Sequence, residues 1–221
     1  MTGTARQHYP VAISLEAVAS AWVRQGNAEA GSIVQLSAEV VPRLRDASVW
    51  ETRDGHGVRA AVIARPALRL EHEPLCWLAG LTAATLGAAG TATWWPDRLV
   101  AGDSAEAGAV NVVAIATHGR LDAVVVAGRW VLTDAQVDVE RFATEVLRLL
   151  DLAAVDPGAL RAEHANRSGM LGTRVRATLL PRGEVRGIAT EVDADGSLVL
   201  TSPTGLAQRV TVGQVRRVTP I

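Results

Sequence analysis

Residues 170–201 read MLGTRVRATLLPRGEVRGIATEVDADGSLVLT, and this stretch decides the fold of the C-terminal part of the chain. Apolar and polar residues alternate in short segments, which are separated by the turn sequences Pro181-Arg182-Gly183 and Asp193-Ala194-Asp195-Gly196. Alternation with period two is typical of strands with one buried face, and glycine-containing turns between such segments indicate hairpins. Because Gln208–Val212 continues the pattern, residues after 169 predict a small all-β unit, an SH3-like β-barrel.

Upstream of Gly169 the sequence predicts a mixture of helices and strands. Ser14 can cap a helix with apolar residues at Leu15, Val18, Ala19 and Trp22, the spacing of one helix face. We therefore predict an α+β fold in two domains, residues 1–168 and residues 169–221. The other predicted elements are a buried helix at 74–89, strands at 32–39, 58–64 and 91–95, a hairpin formed by 110–117 and 121–132, and a helix opened by Asp138.

The composition excludes several kinds of chemistry. All 22 basic residues are arginine, so the chain has no lysine for a Schiff base, an amine nucleophile or a P-loop. The formal net charge of −1 argues against nucleic acid or an anionic membrane as the main partner. The single cysteine, Cys76, cannot form an intramolecular disulfide, and no His/Cys spacing indicates a metal site.

The N-terminal residues show no signal-peptide pattern, and no apolar run reaches the roughly 18 residues that a transmembrane helix needs. We therefore expect a cytoplasmic protein that does not cross a membrane.

Several fragments resemble the biotin protein ligases. Met170 to Arg176, Gly187, Asp193 to Leu198 and Gly213-Gln214-Val215 together resemble the C-terminal β-barrel of that family. Upstream, Trp95-Pro96-Asp97 resembles its Lys-Trp-Pro-Asn-Asp motif. The resemblance implies a biotin/lipoate ligase-like mixed sheet with helices, followed by an SH3-like β-barrel. It also implies the family reaction, in which biotin and ATP form biotinyl-adenylate and the acyl group passes to a lysine of a carrier protein.

The sequence departs from the family where that reaction needs cations and glycines. Val40 to Asp46 stands in place of the Gly-Arg-Gly-Arg loop and contains no glycine, and Trp94 replaces the motif lysine. Ser14-Leu15-Glu16 replaces the Ser-Thr-Asn signature, and the glycine-rich strand reads Ala127-Gly128-Arg129-Trp130 without an asparagine. Arginine does not reproduce a compact ammonium group, so we predict no catalytic residue.

The remaining candidates are ligand-binding residues. These residues also have a structural interpretation. The arginines can belong to a solvated loop, Trp95 can belong to the core, and Trp94 can fill the space that the ligand occupies in the biotin protein ligases. The candidates are Arg43, Arg45, Trp50, Trp94, Trp95, Asp97 and Gly128.

Three functions remain open from the sequence. The first is a non-catalytic binding or assembly subunit, whose protein partner is a biotin- or lipoyl-type carrier domain or an enzyme subunit, in a dimer or hetero-complex. The second is an active biotin or acyl ligase with an arginine-based site, and only this one requires biotin and ATP. The third is a small-molecule sensor that binds its ligand at the position of the biotin pocket in the biotin protein ligases.

Overall fold

The computed structural model describes residues 5–50, 57–102, 105–132 and 136–221. The sequence Gly55-His56-Gly57, which with Arg65-Pro66 resembles the segment after the nucleotide loop of the biotin protein ligases, lies outside these residues at Gly55 and His56. In chain order the elements are β1 (Arg6–Ala12), α1 (Leu15–Arg24), β2 (Ile33–Glu39), β3 (Val58–Ala64), α2 (Glu73–Gly87), β4 (Thr91–Trp94), β5 (Arg98–Ala101), β6 (Ala105–Thr117), β7 (Arg120–Trp130), α3 (Val139–Val155), α4 (Pro157–Ala165), β8 (Arg174–Leu179), β9 (Glu184–Val192), β10 (Leu198–Thr201), β11 (Ala207–Val210) and β12 (Val215–Pro220).

The first seven strands form one mixed sheet in the order β1-β2-β3-β7-β6-β5-β4. β1 and β2 are parallel, and the other neighbouring strands are antiparallel. β6 and β7 form the predicted hairpin, which turns at His118-Gly119, both with positive φ. The α+β class predicted from the sequence is confirmed.

Helices cover both faces of this sheet. α1 packs on one face, where Leu15, Ala19 and Trp22 contact apolar residues of β2, β3 and β7. α2, α3 and α4 pack on the other face. α2 is buried on every side from Leu75 to Gly87, as its uniformly apolar sequence predicts. The two faces of the sheet therefore have separate cores.

The N-terminus of α1 is fixed by the predicted cap. The Ser14 hydroxyl accepts a hydrogen bond from the Ala17 amide at 3.1 Å, and Gly26 takes the left-handed conformation (φ +74°) just after the helix. This cap holds Glu16 in the first turn, where its side chain lies over the sheet.

The C-terminal strands form an antiparallel sheet in the order β11-β10-β9-β8-β12. This confirms the predicted SH3-like β unit; among the described residues β11 and β12 do not pair, so the barrel is not closed. β12 contacts the first domain, where the Trp94 indole donates a hydrogen bond to the Val218 carbonyl at 3.0 Å.

Four elements were not predicted from the sequence: β1, β5, α4 and β12. β1 is an edge strand with polar residues and Pro10, and β5 has only four residues, so neither shows a clear period. None of the helices in the described ranges is long and apolar enough to cross a membrane.

Candidate functional site

A buried arginine forms the centre of the candidate site. Arg129 lies near the end of β7 on the face that α1 covers, and its side chain is fully buried. Its Nη1 and Nη2 donate to Oε1 and Oε2 of Glu16 at 2.7 Å each. Its Nε and Nη2 donate to Oε2 and Oε1 of Glu39 at 2.8 Å. One guanidinium therefore holds two carboxylates, each through two hydrogen bonds.

Neighbouring groups complete this network. The Asn111 amide donates to Glu16 Oε1 at 3.0 Å, and the Leu15 backbone amide donates to Glu39 Oε1 at 2.6 Å. Arg59 lies on the other side of Glu39, with 3.9 Å between Nε and Oε2. We call Glu16, Glu39, Arg59 and Arg129 the buried ion cluster. Its two positive and two negative groups cancel, as burial of charge requires.

The electrostatics keep the central pair of the cluster charged. Burial acts to raise the pKa of Glu16, but the hydrogen bonds and charge of Arg129 outweigh it and lower the pKa below its ordinary value. For Arg129 burial acts to lower the pKa, whereas the hydrogen bonds and charges of Glu39 and Glu16 raise it above the ordinary value. Both groups are therefore ionised near neutral pH.

The cluster joins three segments that the family resemblance marks as ligand motifs. Glu16 ends the Ser14-Leu15-Glu16 segment, Glu39 directly precedes the altered loop, and Arg129 follows Gly128. None of the three was a candidate from the sequence. The sequence did contain a signal for this cluster. Arg129 directly follows the apolar residues 123–128, and an arginine that is buried with such a strand needs an acidic partner.

The altered loop (residues 40–46) and the residues that follow it up to Trp50 pack onto the face of the sheet that α1 covers. Trp50 and Leu44 form a small apolar cluster with Ala109 of β6, and Trp50 is 6% exposed. The Trp50 Nε1 has no hydrogen-bond partner among the described residues. The predicted candidate Trp50 therefore lies close to the sheet, within the apolar cover of the site.

Arg45 lies on this loop and binds the C-terminal domain. Its Nη1 donates to the carbonyls of Val212 (3.0 Å) and Val215 (2.6 Å), and its Nη2 donates to the carbonyl of Arg216 (2.9 Å). Its Nε donates to Asp97 Oδ2 at 3.2 Å. The structure thus brings the candidates Arg45 and Asp97 together, with the guanidinium directed at protein atoms.

Asp97 is almost completely buried between charged groups. Burial raises its pKa above the ordinary value, although Arg98 and Arg45 act to lower it. Arg98 also lies 3.4 Å from Asp46 and 3.3 Å from Glu106. Acids therefore surround the arginine that follows the Trp-Pro motif.

The other candidates lie apart from the buried ion cluster. Arg43 is exposed on the loop and makes a 3.5 Å hydrogen bond to the Ala47 carbonyl. Trp95 is buried and donates its Nε1 to the Gly196 carbonyl at 3.2 Å, so both tryptophans of the motif contact the C-terminal domain. Gly128 is next to Arg129, but a Cβ there would point at the Trp130 ring on the opposite face of the sheet.

A metal site is absent from the described parts of the chain, where no three His, Cys, Asp or Glu side chains come together.

Comparisons with known proteins identify the fold. Residues 170–216 match the family model described as biotin protein ligase C terminal domain. No curated protein matches the chain in sequence.

Solved structures match over nearly the whole chain. A biotin protein ligase from Aquifex aeolicus, in complex with biotin and ATP, has a TM-score of 0.69 at 13% identity and covers 99% of this chain and 100% of its own. Biotin acetyl coenzyme A carboxylase synthetase from Helicobacter pylori, with bound biotinylated ATP, has a TM-score of 0.64 at 15% identity, covering 94% and 100%.

A biotin protein ligase-like protein of unknown function from a Silicibacter species has a TM-score of 0.61 at 16% identity, with 94% of each chain covered. The chain thus has the biotin protein ligase fold, and its C-terminal region matches that family in sequence as well.

Proposed function

We propose that this chain, which has the biotin protein ligase fold, is a non-catalytic binding or assembly subunit. One observation carries the proposal. The guanidinium of Arg129 lies between Glu16 and Glu39, where three ligand motifs of the resemblance meet, and both carboxylates bind it at 2.7–2.8 Å. A ligand entering there would have to displace a buried charge that is held by four hydrogen bonds to carboxylates.

The positions that would serve adenylation support the same conclusion. Joining a carboxylate to ATP needs cations near the α-phosphate. The motif lysine is replaced by Trp94, which is buried and bound to Val218, and Arg45 is bound to three carbonyls of the C-terminal domain. Each missing contact of this kind costs roughly a hundredfold in rate.

An unpaired strand edge supports the assembly role. β5 pairs with β6 only up to Ala109, so Val112 and Ala114 have no strand neighbour on that side among the described residues. The Val110 amide donates to the Asp97 carbonyl on the β5 side, and alternation along β6 directs the Val112 and Ala114 amides the same way. The Val112 amide donates to the Asn111 Oδ1 at 3.1 Å, so Ala114 is the residue that offers its backbone groups at this edge. An edge with exposed backbone groups is a template for a strand of another chain.

The absence of ligand binding is the first expected result. Calorimetry with biotin, ATP and a biotinyl-adenylate analogue should give no binding, and a pyrophosphate-release assay should give no turnover. The positive control is an active biotin protein ligase under the same conditions.

Two outcomes would contradict this. Tight adenylate binding with pyrophosphate release would establish the ligase with an arginine-based site. Binding of biotin without turnover would establish the sensor.

Assembly through β6 gives a second expected result. We expect the protein to bind a purified biotin-type carrier domain, or itself, and we expect Ala114→Pro to weaken that association because it removes an edge donor without removing a bond to β7. Ala116→Lys places a charge on the same edge and should act similarly.

Sedimentation analysis and surface-sensor titration measure this association, with circular dichroism to verify the fold of each variant. A wild-type protein that stays monomeric and binds no carrier domain would contradict the assembly role.

A further inference from the structure

The outer face of the C-terminal sheet carries four arginines. Alternate residues of β8 and β9, such as Val175 and Ala177, are buried, and the residues between them project outward. We call the outward-projecting arginines the arginine face: Arg174, Arg176, Arg186 and Arg217. Arg186 and Arg217 have more than half of their side chains exposed, whereas Arg176 is half-buried.

The strand register places three of these polar residues in one row. Arg176 of β8 lies directly opposite Arg186 of β9 and directly opposite Thr219 of β12. Directly opposite residues have Cβ atoms about 4.5–5.5 Å apart. Two like charges in that position destabilise a sheet unless an anion lies between or beside them.

Two donors in this row have no acceptor. Both the Arg176 Nε and the Thr219 Oγ1 are buried and lack a hydrogen-bond partner among the described residues. Buried polar groups are satisfied in nearly all proteins, so an unsatisfied pair on one row indicates that a partner is missing.

Among the residues that the structure describes, the nearby acids do not neutralise the face. Glu184 pairs with Arg186 at 2.6 Å, and Glu106 of β6 lies 4.0 Å from Arg217. Four arginines against these two carboxylates leave a charge of +2.

Next to the row, a crevice of about 100 Å³ is lined by Trp94, Arg98, Glu106, Arg217 and Thr219 and gives room for a small group.

We infer that the row Thr219–Arg176–Arg186 is a binding site for an oxyanion, a phosphate or carboxylate group of a small molecule. Planar guanidinium groups match such oxygens bidentately, and the Thr219 hydroxyl supplies a further donor. The site is independent of the proposed function, because it lies on the C-terminal sheet and uses none of the buried ion cluster.

The experiment titrates the wild-type protein with inorganic phosphate and with citrate, at constant ionic strength set by chloride. We expect saturable binding, which Arg176→Gln weakens by about tenfold or more, since a charge-assisted pair is lost. Arg182→Gln is the matched control, because Arg182 is an exposed arginine in the β8–β9 turn outside the row. It should leave the affinity unchanged.

A second readout separates binding from folding. The ligand should raise the melting temperature of the wild type but not of Arg176→Gln, because only a protein that binds is stabilised by mass action. Thr219→Val should weaken binding without lowering the melting temperature in chloride, because it removes a buried hydroxyl that has no hydrogen-bond partner among the described residues. Tighter phosphate binding would identify a phosphorylated ligand, and tighter citrate binding a carboxylate. Absence of saturable binding, or an equal loss in Arg182→Gln, would overturn the assignment.

Discussion

Replacing Arg129 with leucine is expected to destabilise the protein by about 3–5 kcal/mol, because Glu16 and Glu39 are left buried without their shared partner. Urea denaturation at pH 7 measures the loss. Arg6→Leu is the control, since its pair with Glu140 is exposed on both sides and surface pairs contribute about 0–1 kcal/mol.

The loss in the Arg129 variant should depend on pH in a defined direction. Without Arg129, we expect burial, the largest influence on Glu16, to outweigh the remaining hydrogen bonds from Asn111 and the backbone and to raise the folded-state pKa above the ordinary 4.5. A raised folded-state pKa means that the folded form retains its proton more readily, so stability is lost as pH rises. The variant should therefore approach the wild type as pH falls towards 4.5, and the gap should widen above it.

A double variant tests whether charge causes the loss. Glu16→Gln with Arg129→Leu leaves Glu39 with Arg59, so the remaining charges still cancel. We expect this protein to recover much of the stability that the single variant loses. A single variant that loses less than about 1 kcal/mol would show that the cluster is solvated and open to a ligand.

Gly128→Ala is the second change with a large expected effect, a loss of about 3 kcal/mol. A Cβ at this position would overlap the six-membered ring of Trp130. That ring cannot move cheaply, because it is fully buried and packs edge-on against Phe142 with ring centroids 5.0 Å apart. Thermal and urea denaturation measure the effect.

Two further variants identify its cause. Trp130→Leu removes the ring that the new Cβ would meet, so the double variant should lose less than the sum of the two single changes. Gly213→Ala is the matched control, because a Cβ there has no atom within 4 Å. If Gly128→Ala were as stable as the wild type, the glycine would not be needed for packing, and its role as a ligand-binding residue would gain support.

Much of the fold followed from local sequence signals. The Ser14 cap, the apolar spacing from Leu15 to Trp22 and the Gly119 turn each act within a few residues, so they could be interpreted without the fold. β5 could not be predicted from local signals, because its four residues pair with β4 and β6 only after the Trp-Pro turn has formed.

The candidate site depended on long-range contacts and was harder to predict. Glu16 and Arg129 are 113 residues apart in sequence, and their contact requires both the α1 cap and the register of β7. Arg45 and the two motif tryptophans were predicted to face a ligand, and in the structure they contact the C-terminal domain. Whether they also bind a ligand remains a prediction.

The contacts between Arg45 and the C-terminal domain can form only late in the synthesis of the chain. Its acceptors Val212 and Val215 lie 167 and 170 residues further along the chain. A ribosome adds about 5–20 residues each second, so the loop must wait for many seconds after its own synthesis before these carbonyls emerge. Until then the packing of Leu44 and Trp50 on Ala109 has to hold this segment on the sheet without the three C-terminal carbonyls.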